Sequence, residues 1–231
     1  MLKAVIFDFD GVVCDSELLH YKALNAVFNK CGLDIPKEVH WQTYLGYNDL
    51  DNVEAVNRDY SMDWSGQQIQ QLIDEKKVIF DDLITKERVI IAGVPEFIQR
   101  LIEGSIRRAI CSGALRSDID LMLAGTEFQN AFETIVAADD VTRGKPDPEG
   151  YLLALDNLNQ SGDPLKACEC VVIEDSHWGL EAAAAAGMHP VAVTNTYPRT
   201  ALNGKAEKIV DRLDELSIEG LCALCDDTSS N

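Results

Sequence analysis

The sequence is short of basic residues and contains no long hydrophobic run. Lysine and arginine number 20 against 39 aspartate and glutamate residues, which gives a formal net charge of −19. Such an excess of negative charge repels nucleic-acid backbones and anionic membrane surfaces, and it argues against both as partners. The longest apolar runs fall far short of a bilayer span, and the N-terminal segment meets Asp8 before a signal-type region develops. We therefore expect a cytoplasmic protein that binds neither nucleic acid nor membrane.

Cysteine pairs at metal-binding spacing are also scarce. The seven cysteines are an odd number, in a chain of 231 residues that is long enough to bury a core without disulfides. Cys168-x-Cys170 and Cys222-x-x-Cys225 each suggest a metal or redox site, but neither has a second pair of ligands at zinc spacing. We predict that the cysteines are reduced thiols.

Short apolar runs that stop at polar residues recur along the chain. Continuous rather than alternating hydrophobicity is typical of a parallel strand that is covered on both faces. Helical patterns lie between the runs, such as one that ends at Gly104, one that Asp147 and Pro148 open, and an alanine-rich one over 179–186. This alternation predicts an α/β fold with a doubly wound parallel sheet, a Rossmann-like core. The predicted strands are 4–7, 109–111, 134–136, 170–173, 190–193 and 208–210.

The segment 16–85 breaks this alternation, because it holds helical patterns without a buried strand between them. Ser65 and Gln68 form a capping box that opens a long helix. We predict an inserted all-helical domain at 16–85 and an α/β catalytic core made of 1–15 and 86–231, with a polar, frayed tail from Asp226. An apolar stripe at helical spacing is predicted to lie in the core of the inserted domain: Leu24, Val27, Phe28 and Cys31.

Polar residues that can carry chemistry follow the predicted strands. Asp8 and Asp10 come directly after the first strand, where they would crowd each other, and such a pair usually needs a cation or a shared proton. Ser112 offers a hydroxyl beside Gly113, whose N–H a ligand can approach closely.

Two further features complete the set. Lys145 precedes Pro146, which holds it extended at the start of a predicted helix. Glu174 and Asp175 follow the fourth strand and offer the hard oxygen ligands that magnesium prefers. Taken singly, each feature has a simpler explanation as a turn, a helix cap, a solvated charge or a helix N-terminus.

Together, the order and placement of these features resemble the haloacid dehalogenase-like phosphatase superfamily, in the branch that includes β-phosphoglucomutase and small sugar-phosphate phosphatases. The resemblance covers nearly the whole chain and implies that the inserted helical domain is a cap domain. It implies that Asp8 is the nucleophile that forms an aspartyl phosphate, and that Asp10 is the general acid and base. It also implies that Ser112 and Gly113 bind the phosphate, and that Lys145 steadies both nucleophile and phosphate.

The same resemblance implies a Mg²⁺ ion as cofactor. Its protein ligands would be Asp8, the main-chain carbonyl of Asp10, Glu174 and Asp175. Elementary chemistry agrees, because attack by one anion on another is disfavoured until charge is neutralised, and Mg²⁺ together with Lys145 supplies positive charge.

Within the helical segment, two residues bear on the choice between hydrolysis and transfer. His20 lies on the apolar stripe, and the simpler interpretation is a structural histidine. The resemblance to the mutase, where a histidine at the matching place helps orient the acid/base, makes His20 a candidate substrate-binding residue instead. Asp49, expected in a loop after Gly46, stands where the mutase has an arginine that grips the distal phosphate. A carboxylate there argues against mutase activity, unless Lys76 or Lys77 replaces the arginine.

The leading interpretation is a Mg²⁺-dependent phosphatase that hydrolyses a small phosphomonoester such as a sugar phosphate. The alternatives are a phosphosugar mutase and a catalytically silent metabolite-binding protein on the same scaffold. The presence of both Asp8 and Asp10 favours an enzyme. Its expected partner is a small phosphorylated metabolite, and the expected assembly is a monomer or a small homo-oligomer.

Overall fold

The computed structural model describes residues 1–227 and divides the chain into two compact units. One unit contains residues 1–15 and the chain from residue 89 onward, and the other contains residues 16–88. The seven cysteines are free thiols. Among the described residues, no helix is both long enough and apolar enough to cross a bilayer.

Residues 16–88 fold into helices packed around their own core. These helices are α1 Glu17–Lys30, α2 Lys37–Thr43, α3 Asp49–Asp59 and α4 Gly66–Glu87. Leu24, Val27 and Phe28 of α1 are buried in a cluster that also contains Ile69 and Leu72 of α4. The predicted capping box is present, since the Ser65 hydroxyl accepts from the N–H of Gln68 at 3.4 Å and the Ser65 N–H donates to the Gln68 side chain at 2.9 Å.

Two local predictions in this helical unit are wrong. Cys31 is exposed and not part of the buried stripe, because α1 ends at Lys30 and the chain turns at Gly32, whose φ is +78°. Asp49 does not lie in a loop but is the first residue of α3. The side chain of Asn48 caps that helix by accepting from the N–H of Asp51 at 2.8 Å.

Within residues 1–227, the other unit is built on a six-stranded parallel sheet. Its strands are β1 Ala4–Phe7, β2 Arg107–Cys111, β3 Thr134–Val136, β4 Cys170–Glu174, β5 His189–Val193 and β6 Lys208–Val210. They lie in the order β3-β2-β1-β4-β5-β6, a doubly wound order whose direction reverses between β1 and β4. Every predicted strand is present, and the predicted fold class is confirmed.

Helices cover this sheet, which explains why the residues of β1, β4 and β5 are all buried. The helices of this unit are α5 Val94–Glu103, α6 Arg116–Leu123, α7 Glu149–Leu158, α8 His177–Ala185, α9 Arg199–Leu202 and α10 Ile218–Asp227. Helix α7 packs on β2 and β3, and helix α8 packs on β4 and β5.

The predicted frayed tail is wrong at its start. Helix α10 continues to Asp227, because Leu221 and Cys225 bury one of its faces. Asp226 pairs with the N-terminal amino group of Met1 at 2.8 Å. The rest of the predicted tail, 228–231, lies outside the described residues.

Candidate active site

The register of the sheet brings the predicted site residues to one edge. Phe7, the last residue of β1, pairs with Ile110 in β2 and with Ile173 in β4. The residues that follow these three positions therefore lie side by side at the carboxyl edge, where the strand order reverses and where ligands of such sheets bind. They include Asp8, Ser112, Glu174 and Asp175, all of which are buried.

Lys145 joins two of these carboxylates. Its ammonium group donates to Asp8 Oδ1, to Glu174 Oε1 at 2.6 Å and to the main-chain carbonyl of Cys111 at 3.1 Å. Burial by itself lowers the pKa of a lysine, but the charges of Asp8 and Glu174 outweigh burial and raise the pKa of Lys145 well above its ordinary value. The side chain therefore remains a cation beside Asp8.

Glu174 accepts hydrogen bonds on both carboxylate oxygens. Oε1 accepts from Lys145 and from the hydroxyl of Tyr151 at 3.0 Å. Oε2 accepts from the N–H of Asp175 at 3.1 Å, the N–H of Ser176 at 3.0 Å and the hydroxyl of Ser176 at 2.9 Å. Burial opposes ionisation, but Lys145 and these donors hold the pKa of Glu174 below its usual value. Glu174 is therefore a carboxylate in spite of its burial.

The site contains a cluster of three carboxylates that is able to hold a metal ion, formed by Asp8, Glu174 and Asp175. Each offers an oxygen, and these oxygens all lie within 4.8 Å of one another. Burial, with the charge of Glu174, raises the pKa of Asp8 to about 8 despite Lys145, and it raises the pKa of Asp175 well above its usual range. Ionisation of one carboxylate therefore opposes ionisation of the others, and a divalent cation bound between them would offset their negative charge. Hard oxygen donors suit Mg²⁺, so the donor set fits that ion.

Asp10 and Ser112 lie beside this group. The Ser112 hydroxyl donates to Asp10 Oδ2 at 3.3 Å and accepts from the N–H of Ala114 at 3.0 Å. Asp10 is partly exposed whereas Asp8 is buried, so the two carboxylates differ in their access to water. Gly113 is exposed, and together with Ser112 it lines a cavity of about 240 Å³. The role of these residues in phosphate binding stays a prediction.

Two glycines contribute to the site in a way that the sequence does not reveal. A Cβ at Gly11, whose φ is +76°, would lie 1.9 Å from Asp175 Oδ2. A Cβ at Gly179 would lie 1.6 Å from Glu174 Oε1. Only glycine leaves room for these carboxylates in their observed positions. The sequence showed Gly11 in the Asp-x-Asp-Gly segment and Gly179 in a predicted helix, but it did not show which side chain each one accommodates.

His20, Asp49 and Lys76 form a separate polar cluster in the helical unit. The Lys76 ammonium lies 2.8 Å from His20 Nδ1, 2.7 Å from an Asp49 oxygen and 4.4 Å from the centre of the Phe80 ring. Burial, followed by the charge of Lys76, holds the pKa of His20 well below its usual value. The imidazole is therefore neutral and accepts the hydrogen bond from Lys76. The substrate-binding role of His20 stays a prediction.

Comparison with known proteins agrees with this fold. The sequence profile of the family described as haloacid dehalogenase-like hydrolase matches residues 5–193, more than half of the chain. The match begins at the second residue of β1, three residues before Asp8, and ends at the last residue of β5.

Individual relatives match over most of their length. Protein CbbY of Rhodobacter capsulatus is 32% identical over 204 residues, which cover 86% of this chain and 88% of that protein. A phosphorylated carbohydrates phosphatase of Thermotoga maritima is 29% identical over 191 residues, which cover 82% of this chain and 84% of that protein. The crystal structure of CbbY from Rhodobacter sphaeroides in complex with phosphate has a TM-score of 0.82 and 25% identity, covering 96% of this chain and all of that one (100%). This chain belongs to the haloacid dehalogenase-like hydrolase family, as the resemblance predicted.

Proposed function

We propose that the protein is a Mg²⁺-dependent phosphatase that hydrolyses a small phosphomonoester through an aspartyl phosphate on Asp8. The observation that carries the proposal is the buried group of Asp8, Glu174 and Asp175, with the Lys145 ammonium bound to Asp8 at the carboxyl edge of the sheet. The chain is a phosphoric monoester hydrolase. Its metal, its intermediate and its substrate class are the proposed parts.

In the first step, a carboxylate oxygen of Asp8 attacks phosphorus while the bond from phosphorus to the leaving oxygen breaks. Asp10 protonates that oxygen, and the alcohol departs. In the second step, Asp10 accepts a proton from water, and the resulting nucleophile attacks the phosphoryl group on Asp8. Inorganic phosphate leaves, and both carboxyl groups return to their starting states. The partial exposure of Asp10 supports this role, since it has to meet both alcohol and water.

The residues around Asp8 would stabilise the charge that develops on the phosphoryl oxygens. Lys145 supplies a fixed ammonium, and Ser112 supplies a hydroxyl that is already oriented by the N–H of Ala114. Asp8, the main-chain carbonyl of Asp10, Glu174 and Asp175 would hold the magnesium ion. When bound, this ion neutralises the phosphate dianion and the nucleophile, so that two anions can meet.

Phosphorylated sugars are the substrate class that the relatives favour. The Thermotoga maritima relative is described as a phosphatase of phosphorylated carbohydrates. We propose that the helical unit is the cap domain of this family and that His20 contacts the sugar part of the substrate. The chain would thus release phosphate from a small sugar phosphate.

The charges of the helical unit support hydrolysis over transfer within the sugar. A mutase has to hold a bisphosphate by both ends, which requires a cation for the distal phosphate. Lys76 already pairs with Asp49 at 2.7 Å, and Lys77 pairs with Asp81 at 2.9 Å. Each of the two lysines considered as substitutes for the mutase arginine thus has a carboxylate partner before any ligand binds.

A screen over a panel of sugar phosphates and other phosphomonoesters, with and without Mg²⁺, tests the proposal. We expect phosphate release that a chelator abolishes and Mg²⁺ restores, whereas Ca²⁺, with its larger and looser shell, supports it poorly. Full activity in excess chelator after exhaustive metal removal would contradict the metal assignment. Binding of a panel compound without release of phosphate would instead favour a silent metabolite-binding protein.

β-Glucose 1-phosphate separates hydrolysis from transfer. We expect any turnover of it to give glucose and inorganic phosphate rather than glucose 6-phosphate. A coupled assay for glucose 6-phosphate, run beside a phosphate-release assay, measures both. Isomerisation that outpaces release and depends on a bisphosphate activator would show a mutase.

A further inference from the structure

Tyr151 is buried beside Lys145 and has no place in the reaction steps described above. Its side chain is completely buried (0% exposed), in the first turn of α7. The hydroxyl donates to Glu174 Oε1 at 3.0 Å, the same oxygen that accepts from the Lys145 ammonium at 2.6 Å. The centre of the Tyr151 ring lies 5.1 Å from the Lys145 nitrogen. Tyr151 thus contacts both members of the Lys145–Glu174 ion pair.

Because Tyr151 and Lys145 donate to the same oxygen of Glu174, the Tyr151 hydroxyl affects the position of the Lys145 ammonium. A phenol is protonated at neutral pH and donates one hydrogen bond, here to a charged acceptor. The hydrogen bond from the Tyr151 hydroxyl weakens the attraction of Glu174 Oε1 for the Lys145 ammonium. The ammonium is therefore shared between Glu174 and Asp8. The ring adds an attraction of its own, because the face of an aromatic ring favours a nearby cation.

Close packing of α7 on β2 keeps the ring in this position. A Cβ at Gly150 would lie 2.8 Å from the Cys111 sulfur, so the first turn of α7 approaches β2 more closely than a residue with a Cβ would allow. The backbone before Tyr151 therefore packs directly on the sheet. The hydroxyl position follows from this packing.

We propose that Tyr151 is a positioning residue for the reaction: through Glu174 and through its ring, it holds the Lys145 ammonium between Glu174 and the nucleophile Asp8. This inference rests on the proposed phosphatase function. It assigns to the hydroxyl a role that a phenylalanine of the same shape cannot fill.

The Tyr151→Phe variant tests the proposal, since it removes one oxygen and keeps the ring. We expect kcat for phosphate release to fall about tenfold, which corresponds to about 1.4 kcal/mol, with KM within about twofold of the wild-type value. The loss falls on kcat because the displaced ammonium acts on the phosphoryl group in the transition state, whereas the hydroxyl does not contact the substrate. Tyr44→Phe is the matched control: its hydroxyl donates to the Asp59 carboxylate at 3.2 Å in the helical unit, and its removal leaves kcat unchanged.

A double-mutant cycle tests the route through Glu174 without any substrate. Tyr151→Phe, Glu174→Gln and the double variant are compared with the wild type in denaturant unfolding of the metal-free protein. We expect Tyr151→Phe to destabilise the wild-type background at least twice as much as the Glu174→Gln background. Additive effects would overturn the proposed route, even if kcat falls.

The outcomes separate this inference from the function on which it rests. A wild-type protein that releases no phosphate from any compound would overturn the phosphatase and this inference together. A wild-type protein that does release phosphate, with an unchanged kcat in Tyr151→Phe, would overturn this inference alone. Coupling in the cycle together with a kcat loss supports it.

Discussion

Two lysines, one in each unit, have side chains that are largely shielded from water, and the charges around them differ: Lys76 is 2% exposed and Lys145 is 18% exposed. Lys145 stands over the ring of Tyr151 and binds Asp8 and Glu174, while the carboxylate of Asp175 belongs to the same group. When all three carboxylates are ionised, their negative charge exceeds what the one ammonium can balance, and burial together with this repulsion raises the pKa of Asp8 and of Asp175. A divalent cation would allow all three to ionise.

Lys76 has similar neighbours but a balanced charge. It stands over the ring of Phe80, pairs with Asp49 and donates to the neutral His20. One carboxylate offsets one ammonium, and the cluster is satisfied without a ligand. In this protein, a shielded lysine marks the candidate active site where carboxylates outnumber it, and a structural cluster where they do not. The carboxylates of the sheet unit fit the proposed metal ion, which would offset their charge and that of an anionic substrate.

Asp8→Asn is the sharpest test of this comparison, because it removes both the proposed nucleophile and one of the excess charges. We expect phosphate release to fall by at least about 10⁴-fold, since the proposed covalent intermediate forms on the Asp8 carboxylate and an amide is a much weaker nucleophile. At pH 8, without metal, we expect the variant to be at least as stable as the wild type, because burial and the charge of Glu174 raise the pKa of Asp8 to about 8. Phosphate release and thermal unfolding measure the two effects.

The control for this variant is chemical. Deamidation of the asparagine would restore the nucleophile, so mass spectrometry has to show that the side chain is intact. An intact variant that keeps a substantial fraction of the wild-type turnover would contradict the nucleophile assignment.

Gly179→Ala tests whether the activity requires the carboxylate of Glu174 at its observed position. The added Cβ would lie 1.6 Å from Glu174 Oε1, so Glu174 must leave its place beside Lys145. We expect kcat/KM for phosphate release to fall about a hundredfold, a typical cost of disturbing the groups that orient a metal site. Gly66→Ala is the matched control, because a Cβ there meets no described atom within 4 Å. Equal activities for the two variants would contradict the steric argument.

The same residues show how far the sequence reaches. The runs of β1 and β4 are buried on both faces, so their hydrophobicity is continuous and the strands could be predicted, with Asp8 and Glu174 following at their ends. The parallel register then places those two residues side by side. Strand ends are thus the part of a site that local patterns predict best.

Contacts between distant segments could not be predicted in this way. Lys76 and Asp49 stand 27 residues apart on different helices, and their pairing depends on how α3 and α4 pack. The contact of Tyr151 with Glu174 depends on the approach of α7 to the sheet. Cys31 fits the helical period of the stripe, yet it lies beyond the end of α1. Periodicity describes one helix at a time, whereas these features depend on helix ends and on tertiary packing.

The pH dependence of the metal-free protein tests the unbalanced charge directly. The folded-state pKa of Asp8 is about 8, against an ordinary value of 3.8, and the pKa of Asp175 is also raised. Between these pH values, the folded protein keeps a proton that the unfolded chain has released, so stability is present at low pH and is lost as pH rises from about 4 to about 8. We expect the melting temperature in chelator to fall by several degrees across this window.

Two additions check that assignment. Asp8→Asn should flatten the curve, and Mg²⁺ added at pH 8 should raise the melting temperature, because a ligand of the folded state stabilises it. A melting temperature that falls no more between pH 5 and pH 8 in the metal-free wild type than in Asp8→Asn would contradict the account of these carboxylates.

The smallest expected effect on the protein comes from replacing Lys76, whose charge is offset by Asp49. In Lys76→Met, Asp49 loses its partner but is 32% exposed, so water replaces part of the lost interaction, and the apolar side chain suits the buried position. We expect the free energy of unfolding to fall by about 1–3 kcal/mol, measured by denaturant unfolding. Lys145→Met, in contrast, should remove phosphate release, since it leaves the excess carboxylates without their cation.

Lys86→Met in the same helix is the control for Lys76→Met. Lys86 pairs with Asp82 at 2.7 Å as an i,i+4 pair, but its side chain is 65% exposed. Exposed pairs of this kind contribute only about 0.3–0.5 kcal/mol, because water screens them and ordering two long side chains costs entropy. We expect the loss of stability in Lys86→Met to be clearly below that in Lys76→Met. Equal losses would show that the buried cluster contributes no more than a surface ion pair, and the contrast between the two shielded lysines would then rest on Lys145 alone.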